Sequence, residues 1–173
     1  LEFEIGSGKG LFISNAAASC PEHNFLGVEL AYRYALISAS RLAKKNAVNG
    51  VMMAADAAKV LRELVPAESL TAAHIYFPDP WWKKAHRKRR IVRSSVVRDV
   101  EAKLMKGGKL HFWTDVKEYF ETGVETIKTS TSLVGPFPVM ERPAENEMDF
   151  LTHFERRTRL NDLPVYRSYF VKM

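Results

Sequence analysis

The sequence predicts an α/β fold: a mostly parallel sheet with an antiparallel strand at one edge, covered by helices on both faces. Three observations predict it. Short apolar runs of strand length alternate with amphipathic helical stretches from Leu1 to Ile127. A glycine-rich turn, Gly6-Ser7-Gly8-Lys9-Gly10, joins the first strand to the first helix. Acids recur where successive strands end, at Glu4, Glu29, Asp56 and Asp79, the edge of an open α/β sheet where ligands bind. At 173 residues the chain reads as a single domain spanning residues 1–173.

Leu1, Phe3 and Ile5 alternate with Glu2 and Glu4 as a half-buried strand does, and a helical stretch from Leu11 to about Ser19 stops before Pro21. The second strand runs from Asn24 to Val28 and ends in Glu29. The next helix puts Tyr32, Ala35, Leu36, Ala39, Leu42 and Ala43 on one face before Asn49-Gly50 breaks the pattern. Val51 to Ala55 gives a third strand, Ala57 to about Val65 a short helix, and Ala72 to Phe77 a fourth strand that enters Pro78-Asp79-Pro80. Ser94 or Ser95 caps a helix carrying Val97, Val100 and Leu104, which closes at Gly107-Gly108. Lys109 to Thr114 is the fifth strand, followed by a helix with Val116, Tyr119, Phe120, Val124 and Ile127 inward. Pro136 and Pro138 make Leu133 to Val139 an edge strand or a loop. Val165 to Val171 is the last strand, and the absence of a long helix between these two makes them an antiparallel pair.

The spacing of the glycines narrows the ligand. A phosphate-binding P-loop needs GxxxxGK[ST], but Gly8-Lys9 is followed by Gly10. The dinucleotide pattern GxGxxG needs glycine at Leu11. What remains is E-x-G-x-G-x-G counted from Glu4, similar to the turn of S-adenosylmethionine (SAM) dependent methyltransferases. Glu29 lies nineteen residues beyond Gly10, about where a ribose diol is hydrogen-bonded in such folds. Thr152-His153-Phe154-Glu155 reads as a capping box, T-x-x-E.

Charge is concentrated in one place. Net charge is +6, and residues 83–93 carry seven of the positive charges and no negative one, leaving about −1 for the remainder. A cationic run beside Trp81, Trp82 and Asp79 has the parts for holding a nucleic acid by its phosphates while acting on a base. The single cysteine, Cys20, excludes an internal disulfide framework, and with only His23 beside it provides no zinc set. No apolar run approaches the roughly 18 residues that span a bilayer, so a soluble, cytoplasmic protein without membrane or metal partners is expected. The chain opens in a strand pattern without methionine, which points to a leading segment outside this sequence.

Taken together, the motifs resemble the bacterial tRNA (guanine-N7)-methyltransferase family, often called TrmB. Glu4-Ile5-Gly6-Ser7-Gly8-Lys9-Gly10, Gly27-Val28-Glu29, Asp79-Pro80-Trp81 with Lys83-Lys84 and Lys88-Arg89-Arg90, Thr114-Asp115, and Thr152-x-Phe154-Glu155 carry the resemblance over nearly the whole chain. It implies a class I SAM-dependent methyltransferase (Rossmann-like) fold of seven strands, SAM as cofactor with S-adenosyl-L-homocysteine as product, and tRNA as partner, methylated at a variable-loop guanine, position 46. It also implies that Glu4, Gly6, Gly8, Gly10, Glu29, Asp56 and Asp79 line the SAM site, with Asp79 at the reacting centre. Lys83, Asp115, Thr152, His153, Phe154 and Glu155 would contact the guanosine, and Ala85, His86, Arg87, Lys88, Arg89 and Arg90 would lie along the RNA. The chain departs from the family pattern at Trp82, where proline is usual, at Ala85, often basic, and at Asp162-Leu163, where glycine is common.

Two other readings fit parts of the pattern. An exocyclic-amine methyltransferase also places Asp or Asn before proline and an aromatic residue, and a non-catalytic RNA-binding module could retain the nucleotide fold. Trp81 and Trp82 either stack on a base or cover the core.

Overall fold

The computed structural model describes residues 1–141, 143 and 150–173, with Lys84 by its backbone alone. The strands are β1 (Glu2–Ile5), β2 (Phe25–Glu29), β3 (Gly50–Ala54), β4 (Leu70–Tyr76), β5 (Leu104–Thr114), β6 (Val134–Pro138) and β7 (Tyr166–Val171). The α-helices are α1 (Leu11–Ser19), α2 (Tyr32–Lys44), α3 (Ala57–Leu64), α4 (Ser94–Lys103), α5 (Lys117–Ser130) and α6 (His153–Leu160), and a 3-10 helix covers Lys84–Arg89. All seven strands form one sheet in the order β3-β2-β1-β4-β5-β7-β6. The first five are parallel to one another, whereas β7 runs antiparallel to both β5 and β6. This is the expected fold, including the antiparallel strands at one side.

Alternation along the strands divides the core. Phe3, Ile5, Ile75, Leu110, Phe112 and Phe170 point to one face and pack with Leu61, Val97, Val100 and Ile127 from α3, α4 and α5. The other face holds a smaller cluster, Ile13, Ala17, Phe25 and Leu42, under α1 and α2. Each large apolar side chain so buried contributes roughly 1.5–3 kcal/mol. Helix α1 meets α2 closely at Gly10, where a Cβ would lie 1.8 Å from Ser38 Oγ and 2.9 Å from Ser38 Cα.

Three expectations are corrected. Neither Ser94 nor Ser95 caps α4, whose N-cap position is Arg93 with no side-chain capping bond. The apolar stripe on α2 is narrower than the periodicity suggested: Ala35, Ser38 and Leu42 are buried, while Tyr32 and Leu36 are 71% and 58% exposed. The helix follows β2 at the sheet's β3 edge, so only the 35-38-42 row is covered there. Gly107-Gly108 does not close α4, which ends at Lys103; the glycines lie inside β5, and backbone bonds join Gly107 N to Lys172 O and Lys172 N to Gly108 O. Leu104 accordingly packs as a strand residue.

Candidate active site

The glycine turn is fixed to the second strand before it reaches any ligand. Gly6 N and Ser7 N both donate to Val28 O, at 2.9 and 3.2 Å, and Gly10 N donates to Ser7 O at 2.8 Å. Gly6 and Gly8 have φ of 77° and 53°, and a Cβ at either would meet no protein atom within 4 Å. Both therefore border open space. That space is a cavity of about 310 Å³ lined by Glu4, Gly6, Ser7, Gly8, Lys9, Gly10, Leu11 and Phe12 on one side, with Tyr34, Tyr76 and Phe77. Thr152, His153, Phe154 and Arg157 of the α6 segment close the other side.

Four acids were expected here, and the structure gives them different positions. Glu4 lines the cavity, is 4% exposed, and keeps Oε2 buried without a hydrogen-bond partner. Burial, with the nearby Glu29 charge adding to it, pushes its carboxyl up to about 7. Glu29 stands behind the turn: Oε2 accepts from Gly8 N and Oε1 from Ala31 N, both at 2.9 Å. Asp56 caps α3 by accepting from Ala58 N and Lys59 N and is exposed. Asp79 is exposed in the turn after β4. Asp79, Lys83 and the half-buried Asp115 do not line the cavity.

Helix α6 settles the reading of T-x-x-E. Thr152 Oγ1 accepts from Glu155 N at 2.9 Å, and Glu155 Oε2 accepts from Leu151 N at 2.7 Å, one residue before the cap. Glu155 Oε1 accepts from Arg167 Nη2 at 3.0 Å, and Arg159 Nη1 lies 3.6 Å away. Glu155 is 3% exposed. It was expected to contact guanosine; instead its oxygens anchor α6 to β7, because a carboxylate buried this deeply needs cationic and N–H partners. Thr152, His153 and Phe154 do reach the cavity.

The basic arm divides in the same way. Arg90 was expected on the RNA, yet it is 8% exposed. Its Nε donates to Pro80 O at 2.7 Å, Nη2 to Glu118 Oε2 at 2.9 Å, and the guanidinium lies 4.5 Å from the Tyr119 ring centre. It clamps the Asp79-Pro80 turn to α5. Ala85, Arg87, Lys88 and Arg89 are exposed, and His86 is half-buried. Arg89 lies over the Trp81 ring at 5.0 Å and His86 meets it edge-on, so Trp81 packs within the arm, while Trp82 is 65% exposed. Neither tryptophan covers the core.

Phe77 is a site residue that the sequence pattern shows only as the end of a strand. Its φ is 49° and that of Trp81 is 46°, so two bulky residues in the left-handed region bracket Pro78-Asp79-Pro80, at a cost on the order of 1–3 kcal/mol each. The Phe77 ring stacks on Phe154, centroids 6.1 Å apart. Phe77, directly before a proline, is also restricted from helical conformation, and that adjacency was the signal available. Arg157 and Tyr34 line the cavity with no signal beyond helical spacing.

The chain is similar to known proteins in sequence and in fold. A family model described as "Putative methyltransferase" matches residues 1–168. The tRNA (guanine-N(7)-)-methyltransferase of Rhodopirellula baltica is 46% identical over 99% of this chain and 66% of its own length. That of Alkalilimnicola ehrlichii is 37% identical over 98% of this chain and 71% of its own. The chain belongs to the tRNA (guanine-N7)-methyltransferase family. It spans about two-thirds of the length of these relatives of the family. Among solved structures, the N-methyltransferase NodS of Bradyrhizobium japonicum WM9, in complex with S-adenosyl-L-homocysteine, superposes with a TM-score of 0.63 at 13% identity, over 99% of this chain and 76% of that one. At that identity the likeness shows the class I methyltransferase fold. Among the described residues no helix is long and apolar enough to cross a membrane, and no group of three or more His, Cys, Asp or Glu could hold a metal ion.

Proposed function

We propose that this protein transfers a methyl group from SAM to N7 of a guanine in tRNA, the variable-loop guanine at position 46. The observation that carries the proposal is Glu4: a buried carboxylate with one partnerless oxygen, facing a glycine-bordered cavity whose far wall is the Thr152–Arg157 segment. An orphan anion of this kind fits a ligand that brings cationic groups of its own. SAM, when bound, supplies an electrophilic methyl group on a positively charged sulfur. Glu4, Gly6, Gly8 and Gly10 would hold it, Glu29 would offer its oxygens to the ribose, and Asp56 would complete the far end of the site.

Guanine N7 bears a lone pair and no proton, so attack needs no general base. The task left to the chain is alignment, which lowers the barrier by holding the reacting atoms together. Asp79, displayed by its strained turn, would orient the guanine and favour the positive charge that builds on the ring. Lys83, Asp115, Thr152, His153 and Phe154 would border the nucleoside, and the exposed cations of the arm, Arg87, Lys88 and Arg89, would follow the phosphates. A base engaged in tRNA tertiary structure must first open, at a cost of a few kcal/mol. The single cysteine and the tRNA substrate together support a cytoplasmic protein.

The test mixes the protein with SAM and an unmodified tRNA transcript and maps the product by N7-specific chemical cleavage and mass spectrometry. N7-methylguanosine is expected. Methylation on an exocyclic amine, or no methylation at all, would overturn the proposal. Asp79→Ala is expected to lower turnover about 10²–10³-fold while most tRNA affinity remains.

A further inference from the structure

The fold treats the two tryptophans after the Asp79-Pro80 turn differently. The Trp81 ring is occupied, with the Arg89 guanidinium 5.0 Å from its centre and His86 edge-on at 5.9 Å. Trp82 is 65% exposed, and among the described residues its ring stacks on no other ring and lies under no cation. Its exposure does not come from a loose backbone. On one side Arg90 Nε holds Pro80 O at 2.7 Å and the Trp81 ring packs within the arm. On the other, His86 N donates to Lys83 O at 2.7 Å where the 3-10 helix begins. A large aromatic side chain is thus held in water by a segment fixed at both ends.

The bland explanation is that single exposed apolar residues are common on any protein surface, and Leu30, Val48 and Met140 are more exposed than Trp82. The setting of Trp82 is what differs. Residues 80–98 contain no acid, and Lys83, Arg87, Lys88 and Arg89 are exposed. An apolar protein surface seated on this ring would leave those charges without partners. A single-stranded nucleic acid meets both needs, with phosphates for the cations and a base for the ring. The distance along the chain limits which base it is: the three residues from Asp79 to Trp82 span at most about 10–11 Å, which is the reach of neighbouring nucleotides. Trp82 also stands where the family usually has proline, so a ring here is particular to this chain.

We infer that Trp82 stacks on an unpaired base next to the target guanine, adding a contact insensitive to salt to the electrostatic grip of the arm. The inference rests on the proposed tRNA substrate.

The experiment measures affinity of the whole chain for an unmodified tRNA transcript by fluorescence anisotropy over a series of potassium chloride concentrations. Trp82→Ala and Trp82→Leu are expected to weaken binding about 5–150-fold, the equivalent of ~1–3 kcal/mol for one stacked base, while Trp82→Phe retains most of the affinity. The slope of log K against log salt should stay at the wild-type value in all three, because no charge is removed. SAM affinity and melting temperature should also be unchanged. On a transcript with an abasic nucleotide on one particular side of the target guanine, the Trp82→Ala penalty should vanish. Wild-type affinity in Trp82→Ala, or equal affinity of the Leu and Phe variants, would overturn the inference while N7 methylation by wild type left the methylation proposal intact. A full penalty on both abasic transcripts would overturn it too, as would a Trp82→Ala change in sedimentation of the free protein with tRNA affinity unaltered, the mark of a contact between copies. Weakened binding by Trp82→Ala with no N7 methylation by wild type would instead overturn the methylation proposal alone. Absence of tRNA binding by wild type would overturn both.

Discussion

Glu4 holds a carboxyl group where its charge has no partner, and the consequence for stability has a definite sign. A carboxyl near 4.5 when unfolded and pushed up to about 7 when folded binds its proton more tightly in the native state. Stability from this source is complete below about pH 4.5, falls as pH rises, and is fully lost above about 7. Glu4→Gln should therefore raise the stability of the ligand-free protein at pH 8 by roughly 3 kcal/mol and change it little at pH 4.5, as read by thermal melting at both values. The same variant should weaken SAM binding in calorimetry, because the ligand's cationic groups lose their counter-charge. In the wild type SAM affinity should rise with pH up to about 7, with protons released on binding.

At the scale of elements, the arm and α6 each combine an anchor with exposed working residues. Arg90→Gln removes a buried guanidinium that Pro80 O and Glu118 depend on, so a loss of about 2–4 kcal/mol in stability is expected from denaturant unfolding. Among the described residues no acid pairs with Lys88 or Arg89, and substituting them should affect salt dependence instead. Thr152→Ala removes the cap of α6 and should cost about 1 kcal/mol in thermal melting, and it should raise KM for tRNA as Phe154 loses its support. The strand order, the glycine turn and the acids at strand ends were legible because periodicity and spacing are local. The role of Arg90 was not legible, since seven cations in one run look alike until one of them finds Glu118, 28 residues later. Glu155 was legible as a cap and illegible as a partner of Arg167, for the same reason. The α2 stripe was misread because the sequence does not reveal how much of a helix its sheet covers.

Across the whole molecule, the sheet carries electrostatics as well as packing. Glu2 in β1 accepts a bond across to His74 Nε2 in β4 at 2.7 Å and pairs with His23 Nδ1 at 2.6 Å. Burial alone raises its carboxyl, but the bonds and charges of His74 and His23 outweigh that and hold it at about 2. This contribution is present above about pH 4.5 and is lost as pH falls toward 2. Glu2→Gln should flatten the loss of stability over that window in acid titrations followed by circular dichroism. Parallel strands with intervening helices also make most contacts distant in sequence, which slows folding.

The position of β7 has a consequence for how the protein is made. It follows every other strand in sequence, yet it lies between β5 and β6 rather than at the margin, and its Arg167 holds the Glu155 that fixes α6. On the ribosome, β5 is therefore left with an unpaired side until residues 166–171 have emerged. The wall that completes the cofactor cavity is therefore not secured before those residues have emerged.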